Sequence, residues 1–219
     1  MFGLMLICRI WRNKEIPVWK LAVTAPVLTV CGTFGAYLLY FIENMKWGGI
    51  SFYGSLFVIP VLFIPFSFLI KEKYGELLDY CAPSVCIMLA INKINCIRTG
   101  CCKGMVLHTL DDGSVTRFPS QVVELLTALA IAALLMFFIK KCRFSSIIYP
   151  VFLLIYGVLR FGLNLLRETT PFALGLPAGN FWSIIAILIG GAWLGIYIVC
   201  TKRKSGAVIN DRKKQKDRC

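Results

Sequence analysis

Six long apolar stretches dominate this chain, and three of them carry a charge that a bilayer tolerates badly. The stretches 21–42, 50–70 and 179–200 contain no charged residue. The stretches 80–97, 121–139 and 144–166 are interrupted by Lys93, Glu124 and Arg160. About 20 mostly apolar residues are enough for a helix to cross a ~30 Å hydrocarbon core. An ionisable group inside such a helix costs roughly 2.5–3.5 kcal/mol even on lenient insertion scales. Charges that persist there face a protein interior or an aqueous cavity. The sequence therefore predicts an all-α integral membrane protein of about six transmembrane helices, with residues 1–200 as one bundle and 201–219 as a basic tail. Hydrophobic residues make up 58% of the 219, with a mean hydropathy of +0.75, which leaves no room for a separate soluble domain.

The net charge of +13 would suggest nucleic acid in a soluble protein. Its distribution points elsewhere. With the N-terminus cytoplasmic, the inner segments 1–20, 71–76, 140–143 and 201–219 hold 17 of the 24 lysines and arginines. That is the positive-inside pattern. It predicts a plasma-membrane protein with both termini cytoplasmic, no nucleic-acid partner, and a tail able to touch anionic membrane lipids. Residues 1–10 are apolar but too short to span. Arg9, Arg12 and Lys14 come at or after their end, unlike the basic start of a secretory signal, so they read as a helix stub or interfacial segment.

The same topology places Lys93 near the outer end of the third span, Glu124 in the first outer turn of the fourth and Arg160 in the outer half of the fifth. All three fall in one layer. Each could also be explained by mutual pairing or by snorkelling to the interface. In the fifth span Tyr156, Arg160 and Asn164 recur at i, i+4 and i+8, and Arg167 follows Arg160 at i+7, forming one polar stripe. Lys93, Cys96 and Gly100 repeat the pattern, leading into Gly100-Cys101-Cys102-Lys103-Gly104. Two cations with glycine-rich backbone suit a phosphate, and a membrane-embedded phosphate means a phospholipid headgroup.

Between the third and fourth spans, Asp111-Asp112-Gly113-Ser114 separates two short β-prone runs, predicting a small extracytoplasmic β-hairpin arm. The next outer segment, 167–178, carries Pro171, Gly175 and Pro177 and is expected to be irregular. Pro60 and Pro65 interrupt the second span, so neighbouring helices must satisfy the carbonyls they free. None of the ten cysteines forms a C-x-x-C pair, which disfavours a thiol oxidoreductase, and the lone His108 rules out a His-rich metal site. No metal or other cofactor is expected. The one-sided layer of charge and the absence of a visible inverted repeat weigh against an anion transporter.

Four segments together carry a family resemblance. Residues 92–104, NKINCIRTGCCKG, resemble the G-R-x-G-C/N-F-x-x-G-x-x-x-G signature of bacterial prolipoprotein diacylglyceryl transferases. Gly48-Gly49-Ile50-Ser51-Phe52-Tyr53-Gly54 is similar to the family's G-G-L-S-F-H/Y-G element. Phe118-Pro119-Ser120-Gln121-Val122-Val123-Glu124 is similar to its P-x-Q-L-Y-E segment, and Tyr156-Gly157-Val158-Leu159-Arg160-Phe161 matches Y-G-x-x-R-F. Order and spacing agree across about residues 21–200. The resemblance implies transfer of diacylglycerol from phosphatidylglycerol to the lipobox cysteine of preprolipoproteins, at the outer leaflet. It implies catalytic roles for Arg160, Lys93, Glu124 and Tyr53, and substrate contacts from Lys93, Gly104, Gln121, Tyr156, Arg160 and Asn164. Glu124 would orient a cation or accept the thiol proton.

The departures are specific. Lys93 stands at the signature's arginine, giving a point donor in place of a fork. Tyr53 stands where many members have histidine, and a phenol titrating near ~10 is a poor base at neutral pH. Cys96 replaces an asparagine, Asn95 a glycine and Asn164 an acid, and the usual first helix is reduced to the stub at residues 1–10. His108 is an alternative base. These departures leave open a phospholipid-binding relative without catalysis.

Overall fold

The computed structural model describes residues 1–12, 16–101, 104–109, 115–141, 146–167, 171–173 and 175–216. A short helix α1 (Phe2–Arg12) precedes α2 (Val18–Asn44), α3 (Phe52–Ile70) and α4 (Tyr74–Thr99). Strands β1 (Val106–Thr109) and β2 (Val115–Arg117) lead to α5 (Ser120–Lys141) and α6 (Ile148–Leu165). Strands β3 (Pro171–Ala173) and β4 (Leu176–Pro177) then precede α7 (Ala178–Lys216). Among the described residues, six helices, α2 to α7, are long and apolar enough to cross a membrane. The chain is a multi-pass, mostly helical membrane protein with two small antiparallel strand pairs.

Helix ends follow local chemistry. Helices α2, α3 and α4 stop at left-handed residues Met45 (φ 51°), Lys71 (φ 53°) and Gly100 (φ 64°). The Met45 and Lys71 amides turn back onto carbonyls of the last turn, which would otherwise be orphaned. Helix α1 is more than an interfacial segment, because Met5 and Cys8 are fully buried in the core. Helices α2 and α3 approach closely at two glycines: a Cβ on Gly54 would collide with the Gly35 carbonyl, and one on Gly35 would meet Gly54 O at 2.5 Å. Gly54, part of the G-G-x-S-F-Y-G element, is thus required by packing.

Helix α4 begins six residues before the predicted span, at Tyr74, and takes in two buried acids, Glu76 and Asp79. The Asp79 carboxylate accepts the amide N–H groups of Ser146 (2.7 Å), Ile148 (3.0 Å) and Tyr149 (3.2 Å). Helix α6 has no side-chain cap from its own N-cap residue, Ile147, so an acid from α4 performs that task. Pro60 has no N–H to offer the Leu56 carbonyl four residues earlier. The Tyr149 hydroxyl donates to that carbonyl at 2.8 Å, and the Tyr74 hydroxyl donates to the Pro60 carbonyl at 3.0 Å. The expected rescue by neighbouring helices is met for this proline.

The predicted arm is present. Strands β1 and β2 pair antiparallel with Val106 opposite Arg117 and Thr109 opposite Val115, and the Asp-Gly turn at 111–114 lies outside the described residues. The expectation of irregular structure over 167–178 is corrected, since Pro171 and Ala173 pair with Pro177 and Leu176. Gly175, at φ 73°, provides the reversal that an ordinary L-residue would resist. The base of the arm is tied to the end of α6, with the Met105 amide donating to the Leu166 carbonyl at 3.0 Å and Gly104 bridging Arg167.

Candidate active site

Three helices deliver the charges to one point. Lys93 lies near the end of α4, Glu124 in the first turns of α5, and Arg160 on the stripe of α6. Lys93 Nζ and Arg160 Nη1 both contact Glu124 Oε2. Arg167, just beyond α6, donates from Nη1 to Glu124 Oε1 at 3.2 Å. The carboxylate is 3% exposed. An isolated buried carboxylate is too costly to keep ionised, and three cations make it affordable here. They also overcompensate it: with all four groups charged, the cluster carries two positive charges in excess.

That excess opens onto a cavity of about 630 Å³ whose lining includes Lys93, Arg160 and Arg167 but not Glu124. Arg160 Nε and Arg167 Nε are buried without a hydrogen-bond partner among the described residues. Buried donors of this kind are rare and call for a partner. A cavity wall with surplus positive charge and unused guanidinium donors suits a phosphate oxyanion.

Tyr53, Tyr156 and Asn164 also line this cavity. The Tyr156 ring packs against Phe52 and Tyr53, with centroids 5.2 and 5.7 Å away. Ser183 donates to the Gly179 carbonyl at 2.7 Å and shares a hydrogen bond with the Tyr53 hydroxyl, so the phenol proton is directed to Ser183. The buried Asn164 Nδ2 has no hydrogen-bond partner among the described residues, and a Cβ on Gly179 would collide with its amide.

Two expected contacts are not brought to the cavity. Gly104 lies against the Phe118 carbonyl, where a Cβ would collide, and Gln121 Nε2 donates to the Cys101 carbonyl at 2.6 Å. Both residues brace the base of the arm. His108 is exposed on β1, away from the cavity lining. Cys102 and Lys103 lie outside the described residues.

Arg167 was visible in the sequence only as the i+7 continuation of the stripe, yet it completes the clamp on Glu124. Glu43, on the wall formed by the end of α2 and the loop after it, gave no motif signal, and its neighbour Ser51 entered only as part of the element at residues 48–54.

The fold is that of a polytopic membrane protein with a cationic cavity within its bundle. The chain matches the sequence profile of the family Prolipoprotein diacylglyceryl transferase over residues 1–197, and it belongs to that family. It is 24% identical over 203 residues to the phosphatidylglycerol–prolipoprotein diacylglyceryl transferase of Dehalococcoides mccartyi strain 195, covering 83% of this chain and 78% of that one. The enzyme of the same name from Bordetella parapertussis is 30% identical over 171 residues, covering 72% of this chain and 64% of its own. The Methylobacillus flagellatus relative is 30% identical over 160 residues, covering 67% and 60%. The chain thus spans between 60% and 78% of the length of these relatives.

Proposed function

We propose that this protein is a phosphatidylglycerol–prolipoprotein diacylglyceryl transferase. The observation that carries the reading is the doubly positive clamp around Glu124, with unpartnered guanidinium nitrogens beside a cavity in the bundle. In the reaction, the lipobox cysteine sulfur of a preprolipoprotein attacks the glyceryl carbon that bears the phosphate. A C–S bond forms, the C–O bond breaks, and glycerol phosphate leaves with the bonding electron pair. Negative charge grows on the departing oxygen, where Arg160, Arg167 and Lys93 oppose it in a site of low dielectric. Glu124 holds the three cations in place. Tyr156 and Asn164 shape the headgroup wall.

The positive-inside distribution supports a plasma-membrane orientation with both termini cytoplasmic and the cavity toward the outer leaflet. In that orientation residues 1–200 form the catalytic bundle and 201–219 the basic cytoplasmic tail.

Purified protein supplied with phosphatidylglycerol labelled in its diacylglyceryl group and a lipobox peptide should yield a labelled thioether. Arg160→Ala should lower that rate by about 10³-fold. An undiminished rate would sink the role given to Arg160. Lipid binding without any product from the unaltered protein would mark a phospholipid-binding relative instead.

A further inference from the structure

A thiol is a weak nucleophile until it loses its proton, and a cysteine titrating near ~8.5 is only a few per cent thiolate at pH 7. The transfer reaction therefore calls for a proton acceptor in the cavity. The residues suggested by motif do not supply one. Both Glu124 oxygens are engaged by cations, and that side chain is absent from the cavity lining. The Tyr53 hydroxyl is directed to Ser183, and His108 is exposed on the arm.

Glu43 meets the requirement. It is the one carboxylate among the described residues that line the cavity, and it has no ion pair among them. It projects from the last turn of α2, a helix that supplies none of the three clamp cations. Ser51 Oγ donates to Glu43 Oε1 at 2.9 Å and so fixes the carboxylate's direction. Displacement at a saturated carbon calls for one group to take the thiol proton and others to take the departing oxygen. Cations on α4, α6 and the segment after it take the phosphate, and a separate wall carries the acid.

We infer that Glu43 is the general base of the transfer, accepting the substrate thiol proton as sulfur attacks the glyceryl carbon. The inference rests on the proposed transferase function. The proton moves from sulfur to a Glu43 oxygen, the sulfur electron pair forms the C–S bond, and the C–O pair departs with glycerol phosphate. Release of the proton from Glu43 to water resets the site. Ser51 is a positioning residue for this step.

The test uses the full-length protein, phosphatidylglycerol and a lipobox peptide. Wild-type turnover establishes the parent function, and its absence would refute that function, taking the inference with it. With wild type active, Glu43→Gln should lower thioether formation at pH 6.5 by about 10²–10³-fold. The deficit should shrink roughly tenfold per pH unit toward the thiol's own titration range, while phosphatidylglycerol binding is unchanged. A peptide carrying selenocysteine, already ionised at neutral pH, should bring Glu43→Gln close to the wild-type rate. An unaffected rate, a loss that is the same at every pH, or no rescue by the selenol would each overturn the assignment.

Discussion

Two buried carboxylates, Asp79 and Glu124, sit in contrasting surroundings at well-separated levels of the bundle. Asp79 and Lys93, the cation that reaches Glu124, are 14 positions apart on α4, or about 21 Å along the helix. Asp79 is satisfied by the backbone amides at the start of α6. Glu124 is held by three cations and leaves two positive charges over, with guanidinium donors still lacking partners. Burial and ionisability are common to both and do not distinguish structure from function. The partners do: Asp79 accepts backbone amides and ties α4 to the start of α6, whereas Glu124 gathers three cations, all of which line a cavity.

The contrast can be broken by neutralising each acid. Glu124→Gln should have the larger effect, costing about 3–5 kcal/mol because three partly buried cations lose their counterion. Thermal unfolding in detergent would register it, and transfer by the surviving folded protein should fall as well. Asp79→Asn should cost about 1.5–3 kcal/mol, since charge-assisted bonds to backbone amides are weakened. Transfer per folded molecule should not change. A drop in turnover without a drop in stability for Asp79→Asn would erase the distinction. Lys93→Arg should have the smallest effect, lowering the KM for phosphatidylglycerol less than tenfold, within about 1.4 kcal/mol, through a better-matched donor fork.

The spans and the charged cluster were legible because both are energetic extremes. Continuous apolar length announces a membrane helix, and a charge within it stands out. The start of α4 was hidden because hydropathy penalises Asp79 and Glu76 without knowing that backbone amides at the start of α6 take up the Asp79 lone pairs. The second hairpin was hidden because Pro171 and Pro177 argue against strands, while a pair this short needs few ladder bonds. Glu43 raised no alarm because it lies at the end of a span, where a charge costs little. Gly104 and Gln121 entered through motif resemblance alone, and their contacts are with the base of the arm. Arg167 was placed on the correct stripe, but its partnership with Glu124 depends on how α5 and α6 pack.

The hydroxyl of Tyr149 on the carbonyl freed by Pro60 bears on how such a chain is made. Donor and acceptor are 93 residues apart, and α4 and α5 lie between them in the chain. During synthesis from the N-terminus, α3 emerges with a polar group that its own helix cannot satisfy, and its eventual partner has not yet been translated. Bilayer hydrocarbon offers that carbonyl no hydrogen bond. The early helices therefore remain incomplete until α6 arrives, which makes α6 a late keystone of membrane assembly as well as the carrier of Arg160.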